Sequence, residues 1–213
     1  MILSTAYFPP VEYFALLARD MTLSPDRVIT STAMIEACES YQKQSWRNRC
    51  LIMSSSGKEM LQVPIVHGDS KLITDIRIEY TTPWVTRTER TLDSAYHTSA
   101  FYDHYRDGIF EILEAQEDRL FDLNLKIINY FLEKIGIASN IVPTTDFILD
   151  LDDDWREKIH PKRPNTILED LGLARPYFQV FSGKYGFIKG LSILDLLFNE
   201  GPDSILFLKK WGK

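Results

Sequence analysis

The hydrophobic pattern changes its period near Pro83, and that change limits the folds open to this chain. From Ile73 to Tyr80 it repeats every two residues, with Ile76, Ile78 and Tyr80 alternating with Asp75, Arg77 and Glu79. Such alternation belongs to a half-buried antiparallel strand. Thr82 and Pro83 then stand where an N-cap and a first helical residue belong, and predict a helix from Trp84 to about Tyr96. Tyr102, Tyr105, Ile109, Ile112 and Leu113 form a second helical stripe. Leu125, Ile128, Phe131, Leu132 and Ile135 form a third, capped at Asp122 and closed by Gly136. The expected class is α/β. A strand-loop-helix unit at the N-terminus joins a mixed sheet of about five further strands, helices lie on one side, and a C-terminal helix over 191–198 packs back on the core.

The strand-loop-helix unit rests on Ile2-Leu3-Ser4-Thr5, the turn Tyr7-Phe8-Pro9-Pro10, and a helix carrying Tyr13, Leu16 and Leu17 that stops near Asp20. Short strands are expected over 27–30 and 33–37. A hairpin turn is expected over 54–58 with Gly57 at positive φ, followed by a return strand over 60–66 that is an edge or bulged strand, because Pro64 donates no ladder bond. The polar segment 148–165 reads as a loop, and 177–181 as a last strand. The 213 residues suit one domain, 1–213.

A net charge of −6 argues against a nucleic-acid partner, which needs a basic footprint. No G-x-G-x-x-G or G-x-x-x-x-G-K-[ST] occurs, so no nucleotide fingerprint is present and no cofactor is expected. Cys38 and Cys50 have no metal-ligand spacing, and His67, His97, His104 and His160 form no i, i+3 or i, i+4 pair, so no metal is expected either. Asp150, Asp152 and Asp154 resemble the opening of a calcium loop, but Trp155 stands where that loop needs Gly and Pro161 where it needs Glu. A solvated acidic loop is the better reading. No long apolar run and no basic leader stand out, so the expected setting is cytoplasmic, without membrane insertion. The sequence leaves the oligomeric state open.

The segment Tyr41-Gln42-Lys43-Gln44-Ser45-Trp46-Arg47-Asn48-Arg49-Cys50 carries three cations and no acid. As an extended strand it shows Lys43, Ser45, Arg47 and Arg49 on one face, and Gln42, Gln44, Trp46, Asn48 and Cys50 on the other. Arg47 and Arg49 then lie about 7 Å apart, a spacing that lets two guanidinium forks hold a phosphate or carboxylate. The competing reading is an exposed edge strand whose charges deter edge-to-edge pairing.

Several blocks resemble the WbqC-like family, in the branch seen in Bacteroidetes-type bacteria. They are Leu3-Ser4-Thr5-Ala6-Tyr7-Phe8-Pro9-Pro10, the segment 41–50 with Val63-Pro64, the Trp84 helix leading to Ser94-Ala95-Tyr96, Tyr177-Phe178-Gln179-Val180-Phe181, and the segment 190–202. The resemblance implies work in O-antigen or other surface-polysaccharide biosynthesis. Acyl or aminoacyl transfer onto a nucleotide- or lipid-linked amino sugar is the suggested chemistry, and a non-catalytic binding or assembly protein of the same pathway is the alternative. It also implies an anionic small-molecule partner, a nucleotide sugar or sugar phosphate, held by Tyr7, Lys43, Gln44, Arg47, Asn48 and Arg49. In the family pattern a His follows the helix-opening Trp by four positions; here Thr88 stands there, followed by Glu89. If that His is a general base, this chain lacks it, and His97 or His104 is left to substitute. If it is structural, Thr88 replaces it without loss. No catalytic residue is assigned.

Overall fold

The computed structural model describes residues 1–24, 27–29, 31–66, 68 and 70–210; Thr30 and His67 fall outside them. The chain opens with β1 (Ile2–Ser4) and α1 (Val11–Arg19), followed by β2 (Thr22–Ser24), β3 (Arg27–Ile29) and β4 (Ser31–Glu36). The hairpin β5 (Arg49–Ser54) and β6 (Gly57–Gln62) comes next. Three helices follow: α2 (Trp84–Tyr96), α3 (Tyr102–Glu114) and α4 (Leu120–Ile135). After β7 (Ser139–Pro143) come α5 (Ile167–Asp170), α6 (Ser182–Tyr185), α7 (Ile193–Glu200) and α8 (Ser204–Leu208).

The class is α/β, as expected, with the strands in separate sheets. A parallel sheet runs β1-β4-β7, with Ile2 opposite Met34 and Ile35 opposite Pro143. β2–β3 and β5–β6 are separate antiparallel pairs. The central strand β4 turns Ala33 and Ile35, both fully buried, to one face, while Thr32 is exposed and Met34 half-buried on the other. The outer edge of β1 is covered by the 153–155 segment: the Ile2 amide donates to Asp153 O at 3.0 Å, and the Trp155 amide to Ile2 O at 3.0 Å. This closes an edge that would otherwise present unpaired backbone. The acidic loop is therefore strapped down, with Asp153 taking a double hydrogen bond from Arg19 at 3.1 and 2.7 Å.

Helix α1 is buried from Val11 to Ala18, as a helix that is apolar on most faces must be. Helix α7 packs back on the core with Ile193 to Phe198 buried. Ser192 caps it through its side chain and also donates to Phe8 O at 2.9 Å, while the Ile193 amide donates to Pro9 O at 2.8 Å. The C-terminal segment thus clamps the Tyr7–Pro10 turn. That turn places Phe8 at φ 39°, a left-handed conformation costly for a bulky residue, and its ring packs edge-on against Tyr7 and Phe131. Gly136, at φ 79°, closes α4 as expected, and Gly57, at φ 118°, follows the Ser55-Ser56 turn of the hairpin.

Two helix starts and three segments differ from their sequence reading: Pro83, not Thr82, stands at the N-cap of α2, and Arg119 precedes α4, with Asp122 inside its first turn. Residues 41–48 form turns, and the strand begins only at Arg49. Gln44 is left-handed at φ 60°, and Ser45 Oγ donates to Gln42 O at 2.7 Å; these are local bonds that compete with a ladder. Residues 73–80 keep the expected burial alternation, with Ile76 and Ile78 inside and Arg77 outside. They form a 3₁₀ turn over Ile73–Asp75 and isolated bridges, Ile65 with Ile78 and Arg77 with Arg119, in place of a strand. Residues 177–181 are irregular because the Gln179 side chain pairs with both the N–H and the C=O of Ile188, at 2.9 Å each, where a neighbouring strand would sit.

Candidate functional site

The turns of 41–48 send neighbouring cations in different directions. Arg47 points inward. Its Nε donates to Glu39 Oε1 at 2.8 Å and its Nη2 to Ser4 Oγ at 2.9 Å, and both ionic side chains are almost wholly buried. Burial pushes the Glu39 carboxyl up, and the Arg47 guanidinium pulls it part of the way back. The Arg47 carbonyl accepts from Asn124 Nδ2 at 2.8 Å, and the Tyr7 amide donates to Trp46 O at 2.8 Å. Arg47 therefore ties the 41–50 segment to the carboxyl ends of β1 and β4, and the expected face shared with Arg49 does not form.

Arg49 points outward. Lys43, Gln44, Asn48 and Arg49 line one cleft of about 570 Å³ together with Tyr41, Gln62 and Glu79. Asn48 is buried; its Nδ2 donates to Val63 O at 2.9 Å, but its Oδ1 has no partner among the described residues. The Arg49 Nε is likewise buried without a partner. A buried polar atom left unpaired carries a desolvation cost that a ligand can relieve. Tyr41 is pushed up by burial and drawn back by Arg49, which lies nearby. A phosphate matches the donors Lys43 and Arg49 on this wall, while Asn48 Oδ1, an acceptor, calls for a donor such as a hydroxyl. Lys43 and Gln44 are exposed at the mouth.

Tyr7 lies beneath the segment, fully buried, with its hydroxyl unpaired among the described residues. Burial drives its phenol well above its ordinary value; Cys50 and Tyr80 add to the rise and the Thr88 hydroxyl opposes it. Thr88 is buried against this phenol and is not among the residues lining the Arg49 cleft. A side chain at position 88 thus meets Tyr7 first. His97 and His104 are exposed, His97 bonded to Asp93 O at 3.1 Å and His104 edge-on to Tyr105, and neither lines the cleft. Cys38 and Cys50 are both free thiols, and burial pushes Cys50 far up, so it is inert.

Tyr41, Gln62 and Glu79 are cleft residues that the sequence reading missed. One signal was available: counting back along the hairpin from Ser54 opposite Gly57 places Gln62 opposite Arg49.

The fold and the cleft together define an α/β protein whose N-terminal turn and cationic-aromatic segment are built as one unit. The WbqC-like protein family matches residues 5–168, which include both, and the chain belongs to that family. A relative, the protein named Uncharacterized protein Rv1507c from Mycobacterium tuberculosis, is 26% identical over 238 residues, covering 98% of this chain and 96% of its own. No solved structure matches. Among the described residues, no helix is long and apolar enough to cross a membrane.

Proposed function

We propose that this chain, acting as one domain over 1–213 in the cytoplasm, binds a nucleotide-linked or phosphorylated sugar in the Arg49 cleft during bacterial surface-polysaccharide (O-antigen) biosynthesis. Family membership supports the pathway. The observation that carries the ligand class is the convergence of Lys43, Gln44, Asn48 and Arg49 on one cleft, with Arg49 Nε a buried, unpaired donor for a phosphate and Asn48 Oδ1 a buried, unpaired acceptor for a sugar hydroxyl. The notion of a clamp changes in one respect: Arg47 and Tyr7 support the segment from below, and Arg49 with Lys43 meets the anion. Transfer of an acyl or aminoacyl group onto an amino sugar is the reaction that the family suggests.

A second reading, a non-catalytic binding or assembly protein of the same pathway, is favoured by the lining of the Arg49 cleft, which has no histidine among its described residues to act as a base near neutral pH. Thermal stabilisation by a panel of uridine and thymidine diphosphate sugars tests binding, because a ligand of the native state raises the melting point. The expected outcome is a shift that Arg49→Ala removes, with a loss of about 2–5 kcal/mol in binding. An unchanged shift in Arg49→Ala would sink the assignment. Transfer assays on the native chain and on Thr88→His, with the sugar so identified, separate the two readings: a gain of rate only in Thr88→His supports the binding protein.

A further inference from the structure

The 41–50 segment has a second cleft on its other side. It measures about 480 Å³ and lies between the β5–β6 hairpin, the 160–165 turn and the Lys189–Gly190 backbone. Its rim carries Lys58, Lys162, Arg163 and Lys189; Arg163 is paired with Glu157 at 3.1 Å and Lys189 with Glu169, which leaves Lys58 and Lys162 as the rim cations without a carboxylate partner among the described residues. This concentration of cations stands out in a chain with a net charge of −6. The turn that presents Lys162 and Arg163 is well defined. The Arg163 amide donates to His160 O at 3.1 Å across Pro161, whose ring fixes φ, and the Lys162 amide donates to His160 Nδ1 at 3.1 Å. That bond leaves Nε2 as the protonated nitrogen of a neutral imidazole. Lys162 also reaches over to Gln44, so the two clefts share a wall.

The other lining residue with a carboxyl is Glu12, in the first turn of α1, only 6% exposed. Its Oε1 accepts from Asn165 Nδ2 at 3.2 Å, and its Oε2 has no partner among the described residues. The Glu12 backbone amide and Asn165 offset part of the desolvation of this carboxyl, and a ligand hydroxyl at Oε2 would offset more. The half-buried Trp46 and the side chain of Leu51 add apolar wall. A volume near 480 Å³ suits a molecule of hexose size with a charged substituent.

We propose that this cleft is a second ligand site, for a phosphorylated, hydroxyl-bearing small molecule whose phosphate meets Lys58 and Lys162 at the rim and whose hydroxyl bonds Glu12 Oε2 at the floor. A hydroxyl both donates and accepts, so it pairs with the carboxyl in either protonation state. Burial pushes Glu12 upward, while its own backbone amide and the bond from Asn165 oppose the rise. Two ligand sites flanking one segment give the protein a place for each of two substrates, or for a substrate and an effector.

Isothermal titration at low ionic strength, with glucose 1-phosphate, inorganic phosphate and glucose as probes, tests the site. The native chain is expected to take two equivalents of glucose 1-phosphate. Glu12→Ala removes both carboxyl oxygens, whereas the amide of a Gln would still pair with a hydroxyl; it is expected to weaken one equivalent of glucose 1-phosphate at least tenfold without changing phosphate binding. Lys58→Ala with Lys162→Ala, both exposed, is expected to weaken glucose 1-phosphate and phosphate at that site at least tenfold, and it supplies the readout if Glu12→Ala fails to fold. Arg49→Ala is expected to remove the other equivalent. Loss of binding only in Arg49→Ala overturns this site and leaves the Arg49 cleft standing. Loss only in the Glu12 and lysine variants overturns the Arg49 cleft and leaves this one. Failure of glucose 1-phosphate to bind more tightly than phosphate overturns the role given to Glu12, and absence of binding by every probe overturns the site.

Discussion

Arg47 and Arg49 are two positions apart in sequence and answer to different forces. Arg47 neutralises a carboxylate, Glu39, that has almost no access to water. Arg47→Ala leaves that charge buried and unpaired, and unfolding in urea should show a loss of about 3–5 kcal/mol. Arg49→Ala should stay within about 0.5 kcal/mol of the native chain, because its guanidinium bridges no core groups. Equal losses in the two variants would contradict this division. Asp195 supplies a second test at this scale. It is buried beneath the Tyr96 hydroxyl, which donates to it at 3.1 Å, and burial pushes its carboxyl up to about 6. The folded chain therefore holds this proton more tightly than the unfolded chain does. The resulting stability is complete below the ordinary aspartate range and is lost as the pH rises through about 6. Asp195→Asn removes the titration, so the stability of the variant relative to the native chain should rise by about 3 kcal/mol between pH 4 and pH 7. A difference that is flat with pH would show that Asp195 titrates alike in both states.

At the scale of elements, those built on their own periodicity were legible. Helix α4 follows its apolar stripe and stops at the one glycine that its geometry needs, and the β5–β6 hairpin turns where Gly57 permits. Elements fixed by distant partners were not. The 41–50 segment reads as a strand from its alternation, yet Glu39, Tyr7 and Asn124 bend it into turns through bonds that no local pattern reveals. Strand β7 was missed because it is short, polar and ends in Pro143; its pairing with β4 supplies what its composition lacks. The cleft residues were partly legible for the same reason: Lys43, Gln44, Asn48 and Arg49 are contiguous, whereas Glu12, Lys58, Lys162 and Lys189 meet only after folding. The 153–155 strap can be tested directly. Its carboxylate, Asp153, is held well below the usual range, chiefly by Arg19. The strap gains stability above that range and loses it as the pH falls through the folded value. Asp153→Asn should speed hydrogen exchange at the Ile2 and Trp155 amides at neutral pH while the β4 amides stay protected. Uniform acceleration across the sheet would mean that the strap is part of the global core.

For the whole molecule, the bonds from Leu191, Ser192 and Ile193 to the first turn and to Leu51 set an order of events. The Val11 amide donates to Leu191 O at 3.1 Å, the Ile193 amide to Pro9 O at 2.8 Å, and the Ser192 amide to Leu51 O at 2.8 Å. Closing contacts between such distant parts of the sequence comes late, since the entropy of the intervening chain must be overcome first. On the ribosome the turn at Tyr7–Pro10 emerges first, yet it cannot take its final shape until nearly the last helix is made. Helix α1 packs on β4 and on Phe131 of α4 before α7 is made, so what waits for the C-terminal segment is the turn that precedes it. In refolding, the Val11 and Ile193 amides should therefore gain protection from hydrogen exchange in one late step, after the amides of α4.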